Sequence, residues 1–249
     1  MQILPSIHNE YGTLRVVVVG RADALGHAPT LEECYDARSF ESVQLDSYPN
    51  QEDCKLEIEH FVDQLKAHGV EVHRPEGLPN LNQIFSRDVA FVIDDQLVMP
   101  NVIEDRSEEQ HAYDAVIDRI PSSQIIMMPS GCHAEGGDVL VHNNYVFVGV
   151  SSDEDFERYQ TARTNYQGFE YLQDEFPQFE FKGFELHKHD RDPRAGSLHL
   201  DCAFQPIGNG ALLCPKLFKN EADIAFLRSH FGADNLFECT PEEAYMLKI

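Results

Sequence analysis

One pattern occurs three times along this chain, and it constrains the fold more than any other feature. An acid opens an apolar run, the run meets a turn signal, and a second apolar run follows. Asp88 leads 89–93, Asp94-Asp95 turns the chain, and 97–99 returns. Asp138 leads 139–141, Asn143-Asn144 turns, and 145–150 returns. Asp201 leads 202–204, Gly208-Asn209-Gly210 turns, and 211–214 returns. Paired apolar runs around Asp, Asn or Gly turns are the signature of β-hairpins. A helical pattern and a further strand follow each hairpin. Repetition of such a unit implies a stacked or closed arrangement in which equivalent ends converge. Three acids at equivalent places are therefore expected to meet.

The rest of the chain fits around these modules. Residues 14–20 read as a buried first strand. The polar, Pro-punctuated stretch to Asn50 is either a loop over the site or an insertion. Residues 51–68 have helical spacing (Leu56, Ile58, Phe61, Val62, Leu65) and end at Gly69, before a short strand at 70–72. In the second module a helix is expected at 107–119 and a strand at 125–128. The third should carry a helix at 156–175 and a strand at 179–184. The loop 186–197 is charged, and His187-Lys188-His189 reads as solvated. The fourth module begins at His199, with a helix at 221–231 and a strand at 235–238. Residues 244–249 read as the first strand of a fifth module that stops there. The expectation is a single α/β domain over 1–249 with an incomplete C-terminal module.

Hydrophobic residues make up 42% of the 249, enough for a sizeable core. The net charge is -24, from 43 acids against 19 bases, which argues against nucleic acid or an anionic membrane surface as partner. It suits a small cationic substrate. No run approaches the roughly 18–20 apolar residues of a membrane span, and the N-terminus lacks the regions of a signal peptide. The six cysteines show no C-x-x-C spacing, which reads as reduced thiols in a cytoplasm rather than disulfides or a zinc site. No metal and no organic cofactor is implied, and a homo-oligomer is compatible with the sequence.

The chemistry concentrates at Glu135-Gly136-Gly137-Asp138. Two carboxylates flank two glycines, which let the backbone approach a ligand closely. Such a site suits a planar cation; the plainer reading is an acidic turn that caps a strand. Together with Arg87-Asp88 and His199-Leu200-Asp201, in that order and at module starts, this stretch resembles the guanidino-group-modifying (pentein) superfamily. Its members include arginine deiminases, dimethylarginine dimethylaminohydrolases and amidinotransferases. Residues 17–22 and 163–168 look closest to the amidinotransferases.

The resemblance implies a pentein-type α/β propeller of five ββαβ modules, with the site on its axis. It casts Glu135 and His199 as catalytic acid and base, and Asp88 and Asp201 as the carboxylates that hold a guanidinium. Asp138 either joins them or caps its hairpin. Arg163 falls where arginine deiminases bind a substrate carboxylate; its plainer reading is a salt bridge on a helix surface. A guanidinium is planar, permanently charged and binds carboxylates bidentately. Its carbon is a poor electrophile, so a thiolate must attack it to give a covalent thiouronium. Histidine protonates the leaving amine and then activates the incoming water or amine. The family's nucleophile is a cysteine near the C-terminal end, expected here beyond Ile249; Cys132, three residues before Glu135, is the alternative within the chain. The implied activity is that of an amidinotransferase on arginine or a related guanidino compound. The alternatives are an amidine hydrolase and an inactive guanidino-binding homologue.

Overall fold

The computed structural model describes residues 2–247. It is a mixed α/β fold with four separate small sheets and no closed sheet among the described residues. The strands are β1 (Val16–Val18), β2 (Glu71–His73), β3 (Phe91–Ile93), β4 (Gln96–Met99), β5 (Ile125–Met127), β6 (Val139–His142), β7 (Tyr145–Val150), β8 (Glu180–Glu185), β9 (Phe204–Ile207), β10 (Gly210–Leu213) and β11 (Leu236–Glu238). Three sheets share one plan. The hairpins β3–β4, β6–β7 and β9–β10 are antiparallel, and β5, β8 and β11 each add a parallel strand to the second member of the pair. The fourth sheet is β1 parallel to β2 alone.

The hairpin turns form where the sequence places them because their residues accept positive φ: Asp94 at 54°, Asn143 at 57° and Gly208 at 61°. The third sheet is covered on both faces. Leu140 and Phe147 pair across β6–β7 and point into one core cluster with Phe184, Phe204 and Leu213. Val139, Val141, Val146 and Val148 point into another with Phe91, Ile93 and Val98. Double-sided burial explains why 139–141 and 146–148 are apolar at every position instead of alternating.

The helix Gln51–Ala67 agrees with the sequence; the Asn50 side chain caps it by accepting from Asp53 N at 3.0 Å. Other elements differ. β1 is only partly covered, with Val16 40% exposed. The expected helix at 107–119 is broken into Glu104–Ser107, a 3-10 turn Glu108–Tyr113 and Asp114–Ile117. The expected helix at 156–175 is two helices, Asp153–Arg158 and Tyr166–Glu175; residues 161–164 between them are buried. The expected strand at 244–249 is the helix Pro241–Leu247 as far as the described residues go; Lys248 and Ile249 lie outside them. The reason is a capping box. Thr240 Oγ1 accepts from Glu243 N at 3.2 Å, and Glu243 accepts from Thr240 N at 2.8 Å, with Pro241 at the first helical position.

The early polar stretch contains the helix Ala37–Gln44, capped by Asp36. Glu41 on this helix bonds Arg194 at 2.8 Å and accepts from Tyr245 Oη at 2.6 Å. The stretch is thereby fastened across the loop before His199 and the last helix.

Candidate active site

The three repeated acids each sit on a single helical turn before a hairpin: Ser86–Val89 for Asp88, the 3-10 turn Gly136–Asp138 for Asp138, and the 3-10 turn Leu200–Cys202 for Asp201; Glu135 is the extended residue just ahead of the second turn. The first turn packs on the second, and the second on the third. Glycine makes the approach possible. A Cβ at Gly136 would lie 2.0 Å from Arg87 O, and one at Gly137 would lie 2.5 Å from His199 Nδ1.

At this junction His199 Nε2 donates to Glu135 Oε2 at 2.8 Å, and His199 Nδ1 lies 3.8 Å from Asp88 Oδ1. Asp88, Glu135 and His199 are buried. Burial opposes the imidazolium, but the Asp88 charge, the Glu135 hydrogen bond and the nearby Asp138 outweigh it and lift His199 to about 9. Burial likewise opposes the Glu135 carboxylate. Arg163, His199 and Arg106 overcome this and hold it well below the usual carboxylate range.

Arg163 does not lie on a helix surface. It is 1% exposed, and each guanidinium nitrogen meets a protein acceptor: Nη1 both Glu135 oxygens at 2.9 Å, Nε Gln160 O at 2.7 Å, and Nη2 Tyr35 O at 2.8 Å. The break between Asp153–Arg158 and Tyr166–Glu175 brings it inward. Its partner Tyr35 shows that the early polar stretch lies against the site; the Arg163 guanidinium stands 5.6 Å from the centre of the Tyr35 ring.

Asp138 is buried, and its two oxygens accept from Thr164 Oγ1 at 2.8 Å and Leu200 N at 2.9 Å. It ties the Glu135 turn to the His199 turn. Burial pushes its carboxyl up, against the pull of Lys188 and His199. Asp201 accepts only a thiol contact from Cys202, at 3.4 Å, among the described bonds. Burial raises its carboxyl too, with His199 and Arg87 opposing.

Arg106 was not anticipated. Its Nη1 donates to Asp88 Oδ2 at 2.6 Å and reaches Glu135 Oε2 at 3.4 Å, while Nε and Nη2 bind both Glu109 oxygens at 2.8 Å. It is 4% exposed. Its start on the broken helix 104–107 hid it, because a continuous helix at 107–119 leaves it outside. Lys188 also departs from the sequence reading. The ammonium is buried while His187 and His189 on either side are exposed.

The ligand atoms of Asp88, Glu135 and His199 lie within 4.8 Å of one another, a spacing that could admit a cation. The donors of Arg106 and Arg163 already meet these carboxylates, so protein cations balance the charge. The six cysteines, Cys132 included, are all pushed up by burial, Cys202 strongly. None is a ready thiolate. Among the described residues, Asp88 Oδ1 and Asp201 Oδ2 accept no hydrogen bond beside His199. That is an acid–base group flanked by anionic sites suited to a planar cation.

The sequence model of the family described as N,N dimethylarginine dimethylhydrolase, eukaryotic, matches residues 36–245. The chain is 26% identical over 209 residues to the uncharacterized protein YkgA of Bacillus subtilis, covering 82% of this chain; it spans 63% of the length of that curated relative. Among solved structures, inosamine-phosphate amidinotransferase StrB1 of Streptomyces griseus has a TM-score of 0.68 at 17% identity, over 94% of this chain and 75% of its own. The amidinotransferase SxtG of Microseira wollei has a TM-score of 0.66 at 17% identity over the same shares. A mutant dimethylarginine dimethylaminohydrolase of Pseudomonas aeruginosa complexed with citrulline has 0.64 at 15%, over 93% and 78%. No helix among the described residues is long and apolar enough to cross a membrane. The chain belongs to the N,N dimethylarginine dimethylhydrolase family, within the guanidino-group-modifying superfamily.

Proposed function

We propose that this chain carries the guanidinium-binding and acid–base half of an enzyme that opens a guanidino group, with hydrolysis as the primary reading. The observation that carries it is the His199 imidazolium held between Glu135 and Asp88 with open carboxylate oxygens beside it. Arg106 supports the same reading from inside the molecule, since Asp88 and Glu135 already bind its guanidinium.

In this reading the substrate guanidinium docks on Asp88 Oδ1 and Asp201. Glu135 holds the His199 ring and its charge; Arg163 and Asp138 position that pair. A thiolate attacks the central carbon, the C–N bond to the leaving amine breaks, and His199 gives that amine its proton. His199 then takes a proton from water as the water displaces the thiol, leaving a ureido product. Following the family resemblance, we propose that the thiolate belongs to a further segment; the thiols of this chain, all raised by burial, support that reading. The three like sheets and the two-stranded β1–β2 sheet support a propeller that such a segment would complete.

Amidino transfer is the second reading, favoured by the likeness to StrB1 and SxtG. The acceptor decides between them. Incubating the full-length protein with arginine or methylated arginines, with and without an amine acceptor, tests both. Ureido product in water alone supports hydrolysis, and a new guanidino compound formed only with the amine supports transfer. Tight substrate binding without either product points to an inactive homologue.

A further inference from the structure

The backbone that carries His199 is held at four successive residues by side chains. Lys188 Nζ donates to Ser197 O at 3.1 Å and to Leu198 O at 2.7 Å. Ser197 Oγ donates to His199 O at 2.8 Å, and Leu200 N donates to Asp138 Oδ1 at 2.9 Å. The two segments also touch directly. Ser197 N donates to His187 O at 2.9 Å, and a Cβ at Gly196 would lie 2.6 Å from His189 N.

Lys188 is 7% exposed. The charged groups that act on it are Asp138, Glu135 and Arg163, with the Cys202 thiol among them. A loop needing only satisfied carbonyls could use a neutral donor, because burying an ammonium is costly even when it is well bonded. A cation at this place does two things a neutral donor cannot. It binds both carbonyls at charge-assisted strength. It also faces Asp138, whose carboxylate fixes the next peptide, Leu200 N.

We propose that Lys188 is a positioning residue for the acid–base group: its ammonium, acting with Ser197 and Asp138, sets the backbone from which the His199 ring reaches Glu135 and Asp88. This rests on the function proposed above for the role of His199, but its test does not. The ring sits within hydrogen-bond reach of Glu135 only while residues 197–200 hold their path. Lys188 touches neither Asp88 nor the open acceptors, so it should govern turnover and not substrate affinity.

The experiment is a titration of the His199 ring by NMR in the full-length protein, comparing wild type with Lys188→Met. Loss of a neighbouring positive charge alone would raise the His199 pKa; displacement of the ring from Glu135 would lower it, and so would protonation of Asp138 once Lys188 no longer holds its carboxyl down, so Ser197→Ala, which leaves that charge in place, must show the same fall. We expect a fall of about one unit or more, with kcat reduced roughly 10- to 100-fold at nearly unchanged KM. An unchanged or raised His199 pKa overturns the proposal, even if the melting temperature falls. If Lys188→Met does not fold, Ser197→Ala decides. It removes only the hydroxyl on His199 O and should move the titration the same way; an unmoved titration overturns the idea. The titration needs no substrate. A wild type inert toward every guanidino compound would count against the proposed function and leave the Lys188 result standing.

Discussion

Glu135 is a fully buried carboxylate that stays ionised because Arg163, His199 and Arg106 all reach it. Removing that charge strands the cations around it. Glu135→Gln should therefore destabilise the fold by about 3–5 kcal/mol, the usual cost of breaking a buried ion pair; urea unfolding measures it, and a change below about 1 kcal/mol would count against the cluster. Gly137→Ala separates position from charge. Its Cβ would stand 2.5 Å from His199 Nδ1, so the ring must move. The expected result is a loss of turnover on the order of 100-fold with a stability cost of about 1–3 kcal/mol; full activity would remove His199 from the mechanism. Asp88, Asp138 and Asp201 were marked by their recurrence at module starts and Glu135 by the glycines beside it; His199 was singled out only by the family resemblance. Glu109 and Arg106 were legible in neither way. Arg106 lies one residue before the helix expected at 107–119 and Glu109 in its first turn, so nothing local pairs them, and only the tertiary fold buries the two together.

Among the elements, the connection between Glu135 and its neighbours runs through Asn165. Its side chain accepts from Gly168 N at 2.8 Å, capping Tyr166–Glu175, and from His133 N at 3.0 Å, and it donates to Gly131 O at 2.8 Å. One amide thus fixes a helix start and the loop that enters the site. Asn165→Ala should cost about 2–3 kcal/mol, from a lost cap and a backbone donor left bare. For a chain of this size that lowers the melting temperature by roughly 4–12 °C. Calorimetry checks it, and a shift under about 2 °C would mean that water replaces the amide. The hairpins were legible because turn residues with positive φ leave a plain mark. The break at 159–165 was not. The residues there carry no proline or glycine, and what ends the helix is burial of Thr161, Arg163 and Thr164 against other modules. The closing helix differs: its capping box, Thr240-Pro241-Glu242-Glu243, is a local signal written in the sequence, and it overrode the strand-like run that follows.

For the molecule as a whole, the site links stability to pH. His199 has a folded pKa of about 9 against an ordinary 6.5. A base with a raised pKa stabilises fully below its unfolded value, and that contribution is lost as pH rises through its folded one. The window is therefore about pH 6.5 to 9, and the shift corresponds to about 3 kcal/mol at most. Other buried groups titrate on the same curve. Asp138, Asp201 and Glu109 are raised carboxyls, and Lys188 is a lowered amine whose burden eases at high pH. Wild-type stability alone thus mixes opposite slopes. The difference between wild type and His199→Gln cancels the groups that His199 does not touch, Glu109 and Lys188 among them, and leaves His199 together with its coupling to Asp138 and Asp201. That difference should be largest near pH 6 and shrink by about 2–3 kcal/mol by pH 10, read from urea unfolding at several pH values. If the two proteins keep parallel curves throughout, His199 is not held as an imidazolium between Glu135 and Asp88. A neutral ring there could not give its proton to a leaving amine, and the assignment of the acid would have to move elsewhere in the site.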